Sequence, residues 1–205
     1  KKELKNSISI DFKRNFKTKY RKDIFIGQKI NPPIQKKTNL ISKKIYNLSY
    51  SSPSLRCTQT SKFYSKKTKI NSLLKEINYG LAEGLNLRKL NQSYPYILKK
   101  WQQNKDVKFP KGESLKDVNS RVKNFKKIIL NLTNEKKYLV VTHNVFLRSL
   151  IGSYFKIPLN KWYLIKVGYG DNINFKKIKN KLFINISRKK INRFLKKVYE
   201  NSNSN

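Results

Sequence analysis

The chain has 205 residues, 38% of them hydrophobic, with one cysteine, one histidine, no methionine and a formal net charge of +37 from 48 Lys and Arg against 11 Asp and Glu. That length and apolar content support one well-cored domain and exclude a disordered basic tail. The single Cys57 excludes an internal disulfide framework and a cysteine-based zinc site, and no apolar run approaches the ~18 residues of a membrane span.

So large a positive charge repels itself unless phosphates or counterions neutralise it. An AT-rich gene inflates Lys, Asn, Ile, Phe and Tyr, all abundant here. It explains the scarcity of acids poorly, because Asp and Glu codons also tolerate AT-richness. A polyanionic partner is therefore favoured over drift. Nucleic acid is favoured over a membrane surface, because the basic residues are spread along the chain and no amphipathic anchor stands out. The chain starts at Lys1 without methionine, which suggests a processed or incomplete chain in which a targeting peptide would be invisible.

Lys1–Asn6 is a basic lead-in, and Ser7–Phe12 alternates polar and apolar residues as a strand does. The run Lys13–Lys22 predicts a basic loop, followed by a second loop, Asp23–Ile34, punctuated by Gly27 and two prolines. A short helix is expected over Asn39–Ile45, a strand over Tyr46–Ser51, and a helix over Leu55–Tyr64 after Pro53. Leu73–Leu85 is an extended piece with a glycine turn, and Leu87–Gln102 a helix interrupted at Tyr94-Pro95. Ser114 caps a long helix to about Leu132, with Leu115, Val118, Val122, Phe125 and Ile129 on one face. Tyr138–Thr142 is a buried strand that runs into His143, with Asn144 the expected N-cap of a helix from Val145. Strands are expected over Trp162–Val167, Asn172–Phe175 and Leu182–Ile186, then a basic amphipathic helix, Ile191–Tyr199, and a polar tail. Strands alternating with helices indicate one three-layer α/β/α domain over residues 1–205, with a mostly parallel central sheet.

Four segments in order, Tyr50–Thr60 (YSSPSLRCTQT), Leu74–Leu85 (LKEINYGLAEGL), the run from Tyr94-Pro95 to Arg121 with its GESL, and Val140–Arg148 (VVTHNVFLR), resemble the histidine phosphatase superfamily, which has the phosphoglycerate-mutase-like fold. The resemblance implies phosphoryl transfer through a phosphohistidine: a histidine in an Arg-His-Gly motif attacks phosphorus. Two arginines and a second histidine hold the phosphoryl oxygens, and a carboxylate protonates the leaving group. By resemblance, Arg56 matches the second phosphate arginine, Glu76 the general acid and His143 the second histidine. Where the Arg-His-Gly motif belongs, this chain has Lys13-Arg14-Asn15, so an ungapped match puts Arg14 in the nucleophile's place. With one histidine in the chain there is no second imidazole. Arginine stays protonated and offers no lone pair, so a phosphatase fold without its nucleophile is expected.

Each singled-out residue has a plainer alternative. His143 is either a phosphate ligand or an imidazole hydrogen-bonded at a strand end, and the second is favoured. Arg56 is either a phosphate site or a structural arginine paired with Glu76, whose acid role has nothing left to assist. Arg14 either fills the old pocket or turns out to solvent. Cys57 is expected to pack rather than react. Backbone phosphate contacts are expected at Lys13, Arg14, Lys17, Lys19, Arg21 and Lys22, and on the C-terminal helix at Arg188, Lys189, Lys190, Arg193, Lys196 and Lys197. The expected function is a noncatalytic, rRNA-contacting component of a ribonucleoprotein. The favoured host is an organellar, mitochondrial ribosome rather than a cytoplasmic location, with RNA and neighbouring proteins as partners and no metal or cofactor. Two alternatives are a phosphomonoesterase or mutase-like enzyme with a degenerate site, and a pseudoenzyme scaffold of another large complex. A residual phosphate or nucleotide ligand in the remnant pocket is left open.

Overall fold

The computed structural model describes residues 7–20, 23–35, 45–46, 48–133 and 137–200. The strands are β1 (Ile8–Arg14), β2 (Leu48–Ser51), β3 (Thr68–Ile70), β4 (Tyr138–Thr142), β5 (Asn172–Ile178) and β6 (Lys181–Ile184). The helices are α1 (Leu55–Lys62), α2 (Leu87–Ser93), α3 (Pro95–Gln102), α4 (Leu115–Leu130), α5 (Asn144–Tyr154) and α6 (Arg188–Glu200). One sheet runs in the order β3-β2-β4-β1-β5-β6. Its β3, β2, β4 and β1 are parallel, and β5 and β6 close it antiparallel.

The alternation of β4 explains the layers. Tyr138 and Val140 join a large apolar cluster with residues of α4, α5 and α6, among them Phe125, Phe146 and Phe194. Leu139 and Val141 point the other way, against Cys57 of α1 and Tyr46. A smaller cluster around Ile77, Leu90, Ile97 and Phe109 ties α2 and α3 to α4 and the start of α5. The α4 helix begins at the expected cap Ser114, which forms a capping box with Asp117 in which each satisfies the other's backbone N–H. Pro95 starts α3 where the sequence breaks the helix.

Several expectations need correction. Asn144 is not the N-cap of α5. His143 has that position, and Asn144 is the first helical residue. Trp162–Val167 is not a strand, because Leu159–Leu164 winds as a 3₁₀ turn. Trp162 there donates from Nε1 to the Ile157 carbonyl and lies directly on Gly152 of α5. Short β3 was not foreseen. It is a largely solvent-facing edge strand of three residues, too short for a period to show. Strand β1 extends through Arg14, so Lys13 and Arg14 belong to the sheet rather than to the basic loop. The helix expected over residues 39–45 falls almost wholly outside the described residues, as do Arg21 and Lys22. Among the described residues no helix is long and apolar enough to cross a membrane.

Candidate functional site

Parallel pairing sets Arg14 of β1 opposite Thr142 of β4, so Arg14 and His143 emerge side by side at the carboxyl ends of neighbouring strands. Arg56, the second residue of α1, and Glu76, in the irregular stretch after β3, complete the constellation. Arg14, Arg56, Glu76, His143, Asn144 and Tyr169 together line a cavity of about 50 Å³. All four residues singled out as a remnant site therefore converge.

The partners they choose differ from expectation. Arg56 does not make an ion pair with Glu76 among the described contacts. Its Nε donates to His143 Nδ1 at 3.2 Å, Nη1 to the Ile30 carbonyl at 3.3 Å and Nη2 to the Gly27 carbonyl at 2.8 Å. An imidazole that accepts at Nδ1 carries its proton on Nε2, and that nitrogen lies 2.8 Å from Ser52 Oγ, to which it donates. Cys57 Sγ packs 3.3 Å from the same nitrogen. Burial first, then the Arg56 charge, hold the His143 pKa well below its ordinary value, so the ring is neutral. Burial likewise pushes the Cys57 thiol far up, against reactivity.

Glu76 spends its carboxylate on backbone. It accepts from the N–H groups of Asn144 and Val145, at the start of α5, and from Ile77, each at 3.1 Å. An anion at a helix N-terminus satisfies donors that the helix leaves open. Desolvation nevertheless raises the Glu76 pKa, with Arg56 the largest opposing influence. Nearby, Glu83 accepts from four successive N–H groups, Gly27 to Ile30, and so fastens the loop that carries Arg56's carbonyl partners. Arg121 holds Glu113 bidentately at 2.8 Å and reaches the carbonyls of Leu73 and Lys75, which positions the stretch before Glu76.

Arg14 turns inward rather than to solvent. Its guanidinium lies over the Tyr169 ring, 3.9 Å from the centroid, and Nη1 donates to the Val167 carbonyl. Desolvation lowers its pKa from 12.5. Its Nε is buried without a partner, as is Oδ1 of Asn144. Tyr169 and Ser52 were not foreseen. Ser52 lies in a segment already singled out, whereas Tyr169 sits in a turn whose sequence carries no comparable signal.

The proposed phosphate contacts divide by burial. Lys13 is 9% exposed, with Nζ donating to the Gly170 carbonyl and lying over Tyr64, so it and Arg14 are drawn into the fold and do not form part of a basic surface. Lys17 is half-buried and Lys19 exposed. On α6, Arg188, Lys189, Arg193, Lys196 and Lys197 face solvent and Lys190 is half-buried, while Phe194, Leu195 and Val198 face the core.

Comparison with known proteins agrees with this architecture. Structures similar to the chain include Bacillus stearothermophilus YhfR (TM-score 0.75, 18% identity, 88% of this chain and 96% of that one) and the alpha-ribazole phosphatase of Shigella flexneri (TM-score 0.74, 18%, 87% and 95%). A third is a histidine-to-alanine variant of Entamoeba histolytica phosphoserine phosphatase in complex with phosphoserine (TM-score 0.71, 16%, 87% and 95%). In sequence, the chain is 26% identical over 129 residues to phosphoserine phosphatase 1 of Hydrogenobacter thermophilus, covering 60% of this chain and 61% of that protein. It is 32% identical over 89 residues to a Caenorhabditis elegans 6-phosphofructo-2-kinase/fructose-2,6-bisphosphatase, covering 43% of this chain and 19% of that protein. The chain thus spans less than two thirds of the length of these curated relatives. Residues 37–180, which exclude β1 and the turn after it, match the sequence model of branch 1 of the histidine phosphatase superfamily, and the chain belongs to that superfamily.

Proposed function

We propose that this chain is a noncatalytic histidine phosphatase fold that works by binding a polyanion. Its role is that of a structural, rRNA-contacting component of a ribonucleoprotein, with a mitochondrial ribosome as the favoured host. One observation carries the noncatalytic half. Arg14, which an ungapped match puts at the family's attacking imidazole, lines the same cavity as His143, and the sequence contains no other histidine. A guanidinium offers no lone pair to phosphorus at neutral pH. The rest of the machinery is spent on the fold: Arg56 on His143 and two carbonyls, Glu76 on the start of α5. The binding half is supported by the net charge of +37 and by the solvent-facing basic residues of α6.

Two measurements test the two halves. Purified chain should hydrolyse p-nitrophenyl phosphate and phosphoserine no faster than buffer, and turnover that His143→Ala abolishes would overturn the noncatalytic half. In gradients of native extract at stepped salt, the chain should travel with a ribosomal subunit and be released by nuclease or high salt. Migration at its own mass would overturn the RNA half, and assembly that survives nuclease would favour a protein scaffold.

A second reading concerns the pocket. Arg14 Nε is a donor without a partner in a residue that lines the cavity, as a phosphate oxygen would require, and Asn144 Oδ1 is an unpartnered acceptor there for a ligand O–H. Calorimetric titration with inorganic phosphate tests it. Binding that Arg14→Gln abolishes supports a retained ligand, and no heat of binding removes the idea.

A further inference from the structure

The two faces of the sheet are not treated alike. On one, α4, α5 and α6 bury an apolar layer, whereas on the other α1 packs over β2, β3 and β4. Beyond α1, the alternation of β1, β5 and β6 turns polar residues to that same side. Ser9, Lys176 and Phe183 stand opposite one another in one row, and Asp11 and Asn174 in the next, where the Asn185 amide donates to Asn174 Oδ1 at 2.7 Å. A sheet covered on both faces carries apolar residues on both, and this face opens to solvent toward β6, where Lys181, Phe183 and Asn185 are exposed. Phe183, on the edge strand β6, is 45% exposed, while its neighbours Leu182 and Ile184 pack into the core.

The exposed charge on this face is positive, and Lys137 pairs with the buried Asp11 at 3.9 Å. Lys137 and Lys181 are exposed and Lys176 is half-buried. Asp11, the one carboxylate of the three strands, is 3% exposed and accepts hydrogen bonds from Tyr46, Asn172 and Asn174. A strand-pairing protein partner is disfavoured at the β6 edge, because the Ile184 N–H already donates to Tyr154 Oη at 3.1 Å.

An aromatic ring flanked by lysines and amides on an open sheet matches the chemistry of an unpaired nucleotide: a π-face for the base, cations for its phosphates and amides for its edges. We infer that this face takes a single-stranded segment of RNA, with one base stacked on Phe183 and the adjoining phosphates on Lys176 and Lys181. The inference rests on the RNA reading above and adds a preference for unpaired over duplex RNA.

Fluorescence anisotropy with the full chain tests it, using labelled oligouridine and an RNA duplex of equal length at one salt concentration. Phe183→Ala should weaken oligouridine binding by roughly 5- to 150-fold, leave duplex binding unchanged, and be rescued by Phe183→Tyr. Oligouridine binding by Phe183→Ala equal to that of the unaltered chain overturns the inference while the RNA reading stands. Equal losses on both RNAs, or no rescue by tyrosine, overturn the stacked base as well. If the unaltered chain binds neither RNA, the parent reading falls and takes this one with it.

Discussion

His143 is a neutral imidazole sealed at 1% exposure, and its neutrality has a pH signature. Below its ordinary pKa the unfolded chain takes up a proton that the folded chain refuses, so stability is flat above about pH 6.5 and falls below it. At about pH 5.5 the loss from this residue is on the order of 1 kcal/mol. Urea titrations at two pH values should show it, and His143→Gln should remove that part of the slope. A slope unchanged in the variant would mean that the ring is charged when folded. Arg14→His is expected to leave hydrolysis of p-nitrophenyl phosphate at background, because the guanidinium of Arg56 stays committed to His143, Gly27 and Ile30. A gain of a hundredfold would show instead that only the nucleophile had been lost. Four residues of the pocket, Arg14, Arg56, Glu76 and His143, were legible through the resemblance of their segments to the family's motifs. Their pairing was not. Whether Arg56 meets Glu76 or His143 depends on side-chain direction, and Glu76 is claimed by the backbone of α5, a partner that residue identities do not announce.

At the scale of elements, that claim gives Glu76 a structural role that can be measured. Glu76→Ala removes the acceptor for three buried or half-buried N–H groups, and unsatisfied buried donors cost about 1–3 kcal/mol each before water enters. A loss of about 2–4 kcal/mol in urea denaturation is expected, with Glu76→Gln milder because an amide oxygen still accepts. A loss below about 0.5 kcal/mol, the range of an ordinary surface change, would show that α5 does not depend on this carboxylate. Gly152 in α5 makes a second test. A methyl group there would overlap the Trp162 indole, so Gly152→Ala should destabilise by about 1–3 kcal/mol through overpacking. Elements with strong local signals were legible: α4 through its cap Ser114 and apolar stripe, the α2–α3 break through Pro95, β4 through its apolar run. Trp162–Val167 misled because aromatic and β-branched residues favour a strand locally, while the contact of Trp162 with Gly152 is set by tertiary packing.

For the whole molecule, the question is where so few carboxylates were kept. Asp11, Glu76, Glu83, Asp106, Glu113, Asp117 and Asp171 each accept hydrogen bonds that hold a loop, a helix start or a buried arginine. Most described acids are thus engaged by the fold, and exposed Lys and Arg far outnumber exposed acids such as Asp23 and Glu200. A mostly cationic surface held close to phosphates should release counterions on binding, so affinity must fall steeply and linearly with salt on a logarithmic plot. Each phosphate contact contributes about 0.7 to that slope for single strands and about 0.9 for duplex. Changing Arg188, Lys189, Lys196 and Lys197 of α6 to glutamine leaves Arg193 in its 2.8 Å ion pair with Asp171 and leaves the core residues of α6 untouched. If α6 lies against RNA, the variant's slope should fall by about 3 on a single strand, with an unchanged unfolding transition. An unchanged slope would take α6 out of the interface and leave the charge to act as a diffuse field.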